Sequence, residues 1–318
     1  MALFDMEEAD LADLATRAID DDAGIRRVAM LELAEIQDPE AADLLVKGLR
    51  DADAEVRAAA ARALEEHPGA YLATALIAAL EDPAPAVRQA AAETLEARRE
   101  VEAAPSLIAR AASGDAFARA AALRALRELA APAAAPVAIA SLAENSPAVR
   151  REAVAVLGWL RDEAALPALM GTARDGQAEV RRATMAALVF IRAGSPAVAA
   201  LVEGLSDADW QVREEAAATL GRASLPEAIP ALIAAMEDPA WQVRLKSAGA
   251  LGRLGARAAV LVLIATLTSE VSNLRKAAAA ALGDIADPAA YAALLATAQD
   301  PDPEVRKTAL WAAGRCQG

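Results

Sequence analysis

Apolar and polar positions along this chain repeat on a fixed ruler. Ten arginines mark it: Arg26, Arg57, Arg88, Arg119, Arg150, Arg181, Arg213, Arg244, Arg275 and Arg306. Successive marks are 31 residues apart, except for one interval of 32 between Arg181 and Arg213. Counted from each arginine, apolar or small side chains recur at −1, +3, +4 and +7. These offsets lie on one stripe of an α-helix and predict a helix, here called B, with that stripe inward. The −1 residue is Val, Ile or Leu in nine repeats and Ala118 in the other; the +7 residue is Leu in nine and Ala313 in the last. Six residues before the arginine stands Asp20, Asp51, Asp82, Asp175, Asp207, Asp238 or Asp300, with Ser113, Glu144 and Ser269 in the remaining repeats. An acid at this turn can cap the free N–H groups where B begins.

A second helical run, A, precedes each B. Examples are Ala41 to Leu49, Leu72 to Leu80, Ala228 to Met236 and Val260 to Leu267. Pro105, Pro136, Pro167 and Pro230 each stand fourteen residues before their arginine. Proline fits a helix's first turn or a bend, so these mark where A begins. The one extra residue is expected in the loop around Ala193–Pro196, where insertion costs little.

A period of this length predicts an all-α solenoid. Ten two-helix repeats are expected in a single array over residues 1–318, a curved rod about 100 Å long at 8–10 Å per helix contact. The blocks DADWQVREEAAATLG (Asp207–Gly221) and DPAWQVRLKSAGALG (Asp238–Gly252) resemble HEAT repeats. The likeness is to the short subclass found in bilin-lyase-type proteins and in designed helical-repeat binders. It extends from about residue 8 to 315. Repeats four, nine and ten depart most, through Ala118, Ser269 and Ala313. The resemblance implies that the variable side of the B helices lines a concave wall. It implies a protein-binding scaffold, adaptor or accessory subunit, with chromophore-lyase-like or chaperone work and DNA-base excision as alternatives.

Composition narrows these readings. The chain is 56% hydrophobic but only 3% aromatic, so its core is built from Ala, Leu, Val and Ile. A net charge of −14 argues against nucleic acid, which requires a basic footprint. Apolar runs are too short and too interrupted to cross a membrane. The acidic start MALFDMEEAD lacks a signal peptide's basic and apolar regions, and together with the single cysteine it favours the cytoplasm. A monomer is the expected state.

Catalytic chemistry finds little support. His67 is the only histidine and Cys316 the only cysteine. His67 is expected in a solvated loop, and Cys316, three residues from the end, at a mobile terminus. Neither a metal-ligand spacing nor a phosphate-binding glycine motif is present. No catalytic residue, metal or cofactor is expected. The arginines are expected to pair with the turn acids, in their own and adjacent repeats, and so to lock successive turns together rather than to serve ligands.

The aromatics point to the binding surface. Trp210 and Trp241 stand at −3, Phe117 at −2, Trp311 at +5, and Trp159 and Phe190 at +9. Offsets −2, +2, +5 and +9 share one face of B, flanked by −3 and +1. Phe117, Trp159, Phe190, Trp210, Trp241, Lys246 and Trp311 therefore form the candidate contact set for a protein or extended peptide. Aromatics joined by charges of both signs suit such a partner. The competing structural roles are a brace on the neighbouring repeat for Trp210 and Trp241, and an end cap for Trp311.

Overall fold

Alanine-rich stretches with a leucine or valine once per turn form helices that approach one another closely. A computed structural model describes residues 11–317. The residues before Leu11, where the repeat likeness is expected to begin, lie outside the described part. The described residues form twenty α-helices and no strand, grouped in two compact units, Met1–Leu160 and Arg161–Gly318.

The first unit holds α1 (Leu11–Arg17), α2 (Ala23–Leu33), α3 (Pro39–Gly48), α4 (Ala54–Ala63), α5 (Ala70–Ala79), α6 (Pro85–Arg98), α7 (Ala104–Ala112), α8 (Ala116–Glu128), α9 (Ala135–Ser141) and α10 (Pro147–Leu160). The second holds α11 (Leu166–Thr172), α12 (Ala178–Ala187), α13 (Ala197–Gly204), α14 (Trp210–Arg222), α15 (Ile229–Ala234), α16 (Trp241–Arg253), α17 (Val260–Thr266), α18 (Ser272–Ile285), α19 (Tyr291–Thr297) and α20 (Pro303–Arg315). Odd-numbered helices are the A helices and even-numbered ones the B helices. Within each unit every A helix packs on the B helix that follows it, and each B helix packs on the next B helix. Each unit is thus an all-α solenoid segment of five pairs.

The predicted stripe is the core. In α14 the buried set includes Val212, Ala216, Ala217 and Leu220; in α16 it includes Val243, Ser247, Ala248 and Leu251. Leu201, Leu232, Leu263 and Leu294 fill the facing A-helix positions and are fully buried. Six of the A helices begin with a short 3-10 turn that passes directly into α-helix, and in four of them Pro105, Pro136, Pro167 and Pro230 occupy the second α-helical position, as expected. The 32-residue interval opens into the loop 191–196, between a 3-10 turn and α13, with Gly194 at φ 80°.

The caps differ from the simplest reading. Five B helices are capped by an acid four residues before the arginine (Asp22, Asp53, Asp115, Asp209 and Asp302), not six. The acid at −6 instead accepts the backbone N–H of the −4 residue, as Asp51 does from Asp53 and Asp207 from Asp209. A carboxylate at −6 stands two residues too early to reach the first free N–H groups of B.

B helices end alike. The residue at +11 is left-handed in six repeats: Arg99, Ala130, Arg161, Ser224, Gly255 and Ala286, with φ between 49° and 60°. Only Gly255 adopts this region without a Cβ penalty. Ala286→Gly is therefore expected to stabilise the protein by about 1 kcal/mol, seen as a rise in the urea midpoint; an unchanged or lower midpoint contradicts this account of the turn.

Candidate functional site

The arginine ladder decides which charges are free. Arg26 donates from Nε and Nη2 to both carboxylate oxygens of Asp51 at 2.7 and 2.8 Å. The same two-pronged pair joins Arg57 to Asp82, Arg181 to Asp207, Arg213 to Asp238 and Arg275 to Asp300. Each acceptor is the turn acid of the following repeat, 25 residues downstream, or 26 across the insertion. The acid of the arginine's own turn contributes its backbone carbonyl to Nη1, as Asp51 does for Arg57 at 2.8 Å. One guanidinium thus ties its own turn to the next, in the fork geometry that suits a carboxylate.

These carboxyls are held below the usual carboxylate range. For Asp51, Asp207 and Asp300 the chief cause is hydrogen bonding from the preceding repeat's arginine, against the upward push of burial. For Asp82 and Asp238 burial is the largest influence, but the arginine, a backbone N–H and the nearby positive charges together outweigh it. The unfolded chain therefore takes up protons first as pH falls. The ladder's contribution is complete above pH about 4 and is lost as pH drops through the lowered values. Urea midpoints measured from pH 7 to pH 3 are expected to stay level and then fall steeply below about 4. A flat profile through pH 3 speaks against the ladder as a source of stability.

A second ladder lies at the far end of the B helices and involves residues read as isolated. His67, Arg98 and Cys316 all stand at +10. His67 Nε2 lies 3.1 Å from the Leu33 carbonyl, Arg98 donates to the Leu64 carbonyl, and Cys316 Sγ points at the Leu282 carbonyl at 3.6 Å. Each acceptor is the +7 carbonyl of the preceding repeat, a helix-end group whose second lone pair is open to a side chain. This corrects two expectations. His67 is buried, not solvated, and Cys316 is buried, not mobile, because both fill the seam between one helix end and the next. Burial pushes the Cys316 thiol up, away from nucleophilic use.

The aromatic residues separate into distinct settings. In the first unit, Phe117 is half-buried with its ring 5.5 Å from the guanidinium of Arg88, whose following turn carries Ser113 instead of Asp. It stands in for the missing acid. Trp159, in the last turn of α10, is 61% exposed. Glu152, which follows Arg150 by two residues, is buried among Arg124, Arg127 and Arg151.

In the second unit Trp210 and Trp241 open α14 and α16 and are 38% and 36% exposed. A helical phase of 100° per residue puts −3 about 20° from +8, the offset whose glycines face the next B helix. Both indoles therefore lean toward the seam with the following repeat. Neither has a cation over its ring among the described residues. The pins on Asp207 and Asp238 fix the turns from which they emerge. Phe190 is half-buried in the 3-10 turn that ends the α12 segment. Lys246 is half-exposed, with Glu214 at 3.8 Å, and Lys276 pairs with Glu304 at 3.0 Å. Trp311 is 48% exposed, packs against Gly283 and carries Arg315 over its ring at 5.6 Å.

Sequence offsets did not reveal that Gly221, Gly252 and Gly283, all at +8, meet Ala250, Ala281 and Ala312 of the next B helix. The recurring Leu-Gly was the visible signal. Among the described residues, no group of three or more His, Cys, Asp or Glu side chains is placed to hold a metal ion. No described helix is long and apolar enough to cross a membrane.

A family model described as HEAT repeats matches residues 1–65, 45–127, 107–189, 198–279 and 260–318. The chain belongs to the HEAT-repeat family. Among solved structures, this HEAT-repeat chain is similar to an engineered protein, with 23% identity, TM-score 0.55, and 96% of this chain and 98% of that one covered. It is similar to yeast importin-β, Kap95p, with 17% identity, TM-score 0.66, and 98% of this chain but 51% of that one covered. It is also similar to YibA of E. coli, with 18% identity, TM-score 0.54, and 93% and 99% covered. The chain spans about half the length of the importin-β chain. A search of curated protein sequences found no match.

Proposed function

We propose that this HEAT-repeat protein is a non-catalytic scaffold that grips a protein or extended peptide with the B-helix side of its second unit. The single observation behind this reading is where the tryptophans lie. The core is filled by Ala, Leu, Val and a few Ile and Met, while all four tryptophans stay at least 36% exposed. Indoles left half in water on rigid helices are the usual anchors of protein recognition. The ladder strengthens the reading by engaging much of the repeated positive charge with the protein's own carboxylates, which keeps it from a phosphate backbone. The fold is one typical of protein-interaction scaffolds, and Kap95p has been seen in a complex with Nup1.

The proposed contact set is Phe190, Trp210, Trp241, Lys246 and Trp311, with Trp159 a separate exposed anchor on the first unit. Phe117 is left out because its ring is half-buried against Arg88, whereas Trp311 stays 48% exposed. The test begins with affinity capture from the source cell on the immobilised chain. The captured protein is then titrated against the native chain and against Trp210→Ala/Trp241→Ala. Expected is at least a tenfold loss of affinity in the double variant with the helical circular dichroism kept, and a blue shift of tryptophan emission when the native chain binds. Full affinity in the double variant removes these two residues from the site; full affinity after Trp159→Ala and Trp311→Ala as well defeats the reading.

A further inference from the structure

The ladder of the second unit has an open rung. Arg213 and Arg275 flank it, each sending Nε and Nη2 to a carboxylate at 2.6–3.0 Å. Arg244 lies between them and is anchored in the same way. Its Nη1 donates to the carbonyls of Asp238 at 2.6 Å and Pro239 at 3.3 Å. The residue 25 places downstream is Ser269, where the neighbouring rungs have Asp. Its hydroxyl keeps one duty of the missing acid by accepting the Val271 N–H at 3.3 Å. It is too short for the other. No protein acceptor meets Nε or Nη2 of Arg244 among the described residues, and neither atom is among the buried groups that lack a partner. The two donors are therefore not sealed from solvent.

The first unit shows how such a gap is closed. Arg88 also lacks a downstream acid, since Ser113 stands there, but the Phe117 ring covers it and its Nε is buried. At the equivalent of Phe117, the open rung carries Asn273, which is exposed. Glu270, next to Ser269, forms no ion pair with Arg244 and is exposed.

We propose that Arg244 and Ser269 form an oxyanion site for a carboxylate. The guanidinium edge takes the two oxygens as it does in the five rungs closed by aspartate, and the Ser269 hydroxyl serves as a further donor. The carboxylate belongs either to a free small acid or to an aspartate or glutamate side chain of a bound segment. The site stands independently of the partner reading above, because a free acid alone reveals it.

The full chain is titrated with sodium acetate at constant ionic strength, with chloride as the balancing salt. The Nε–H resonance of Arg244, assigned by its loss in Arg244→Lys, is followed together with the thermal midpoint. Expected is a saturable shift of that resonance and an acetate-dependent rise in midpoint. Ser269→Asp supplies the acid from within and folds by the precedent of seven repeats that hold Asp at this offset. It is expected to raise the midpoint in chloride and to abolish the acetate response. The peptide acetyl-Gly-Asp-Gly-amide is compared with its Asn counterpart. Tenfold tighter binding than acetate, lost with Asn, assigns the carboxylate to a bound chain; equal binding assigns it to a free acid. An unmoved resonance in the native chain, or an acetate response of the same size in Ser269→Asp or Arg244→Lys, overturns the site.

Discussion

Replacing Gly252 with valine is expected to cost about 3 kcal/mol and to loosen α16 from α18. A Cβ at 252 would stand 2.8 Å from the Ala281 Cα and 3.0 Å from its Cβ. The nearer atom is backbone, so no side-chain rotation relieves the contact, and valine adds two methyl groups beyond the Cβ. The helices must separate, which removes dispersion contacts along the seam. The measurement is a urea midpoint by circular dichroism, joined to hydrogen exchange of α16 and α18, whose protection should fall first. Gly314 provides the internal control. It occupies the same +8 offset in α20, but a Cβ there would meet nothing within 4 Å, so Gly314→Ala should be neutral or slightly stabilising through helix propensity. Equal losses at both positions contradict close approach as the reason for these glycines.

Asp238→Ala is expected to cost a similar amount, about 3 kcal/mol. The substitution removes both acceptors of Arg213, at 2.6 and 3.0 Å, and the acceptor of the Ala240 N–H at 2.8 Å. The Arg213 side chain is only 13% exposed, so water replaces the lost carboxylate poorly. Arg213→Ala leaves the mirror-image orphan in Asp238. Because each single change strands the other partner, the double variant should lose clearly less than the sum, with a coupling of about 1–3 kcal/mol in a double-mutant cycle. Strict additivity would mean the pair contributes nothing as a pair.

Much of the fold was legible because a solenoid writes each structural duty at a constant offset. Val at −1, Ala at +3 and Leu at +7 declared the core, and the prolines at −14 declared where A helices begin. The direction of the ladder was not legible. Asp51 is six residues from Arg57 and 25 from Arg26, and only the stacking decides which guanidinium meets its side chain. His67 and Cys316 were misjudged because each was weighed as a lone residue; set beside Arg98 they share +10, and that register was the available clue. The candidate contact surface was the least legible part. Recognition uses the offsets that vary, so periodicity carries no information there. Trp210, Trp241 and Phe117 at neighbouring offsets have different surroundings because the adjoining repeat, not the helix they sit on, determines what covers them.

The 25-residue reach of each arginine, added to the six residues back to its own turn, equals the repeat. A gene duplication or deletion of one whole module, cut anywhere between two repeats, gives each arginine a fresh downstream turn and leaves every interior donor a place to go. Cuts of other lengths put the acids and the glycine seams out of step. Chains of this kind are therefore expected to change length over evolution in modular steps, with substitutions such as Ser269 adding local specialisation to an otherwise interchangeable frame.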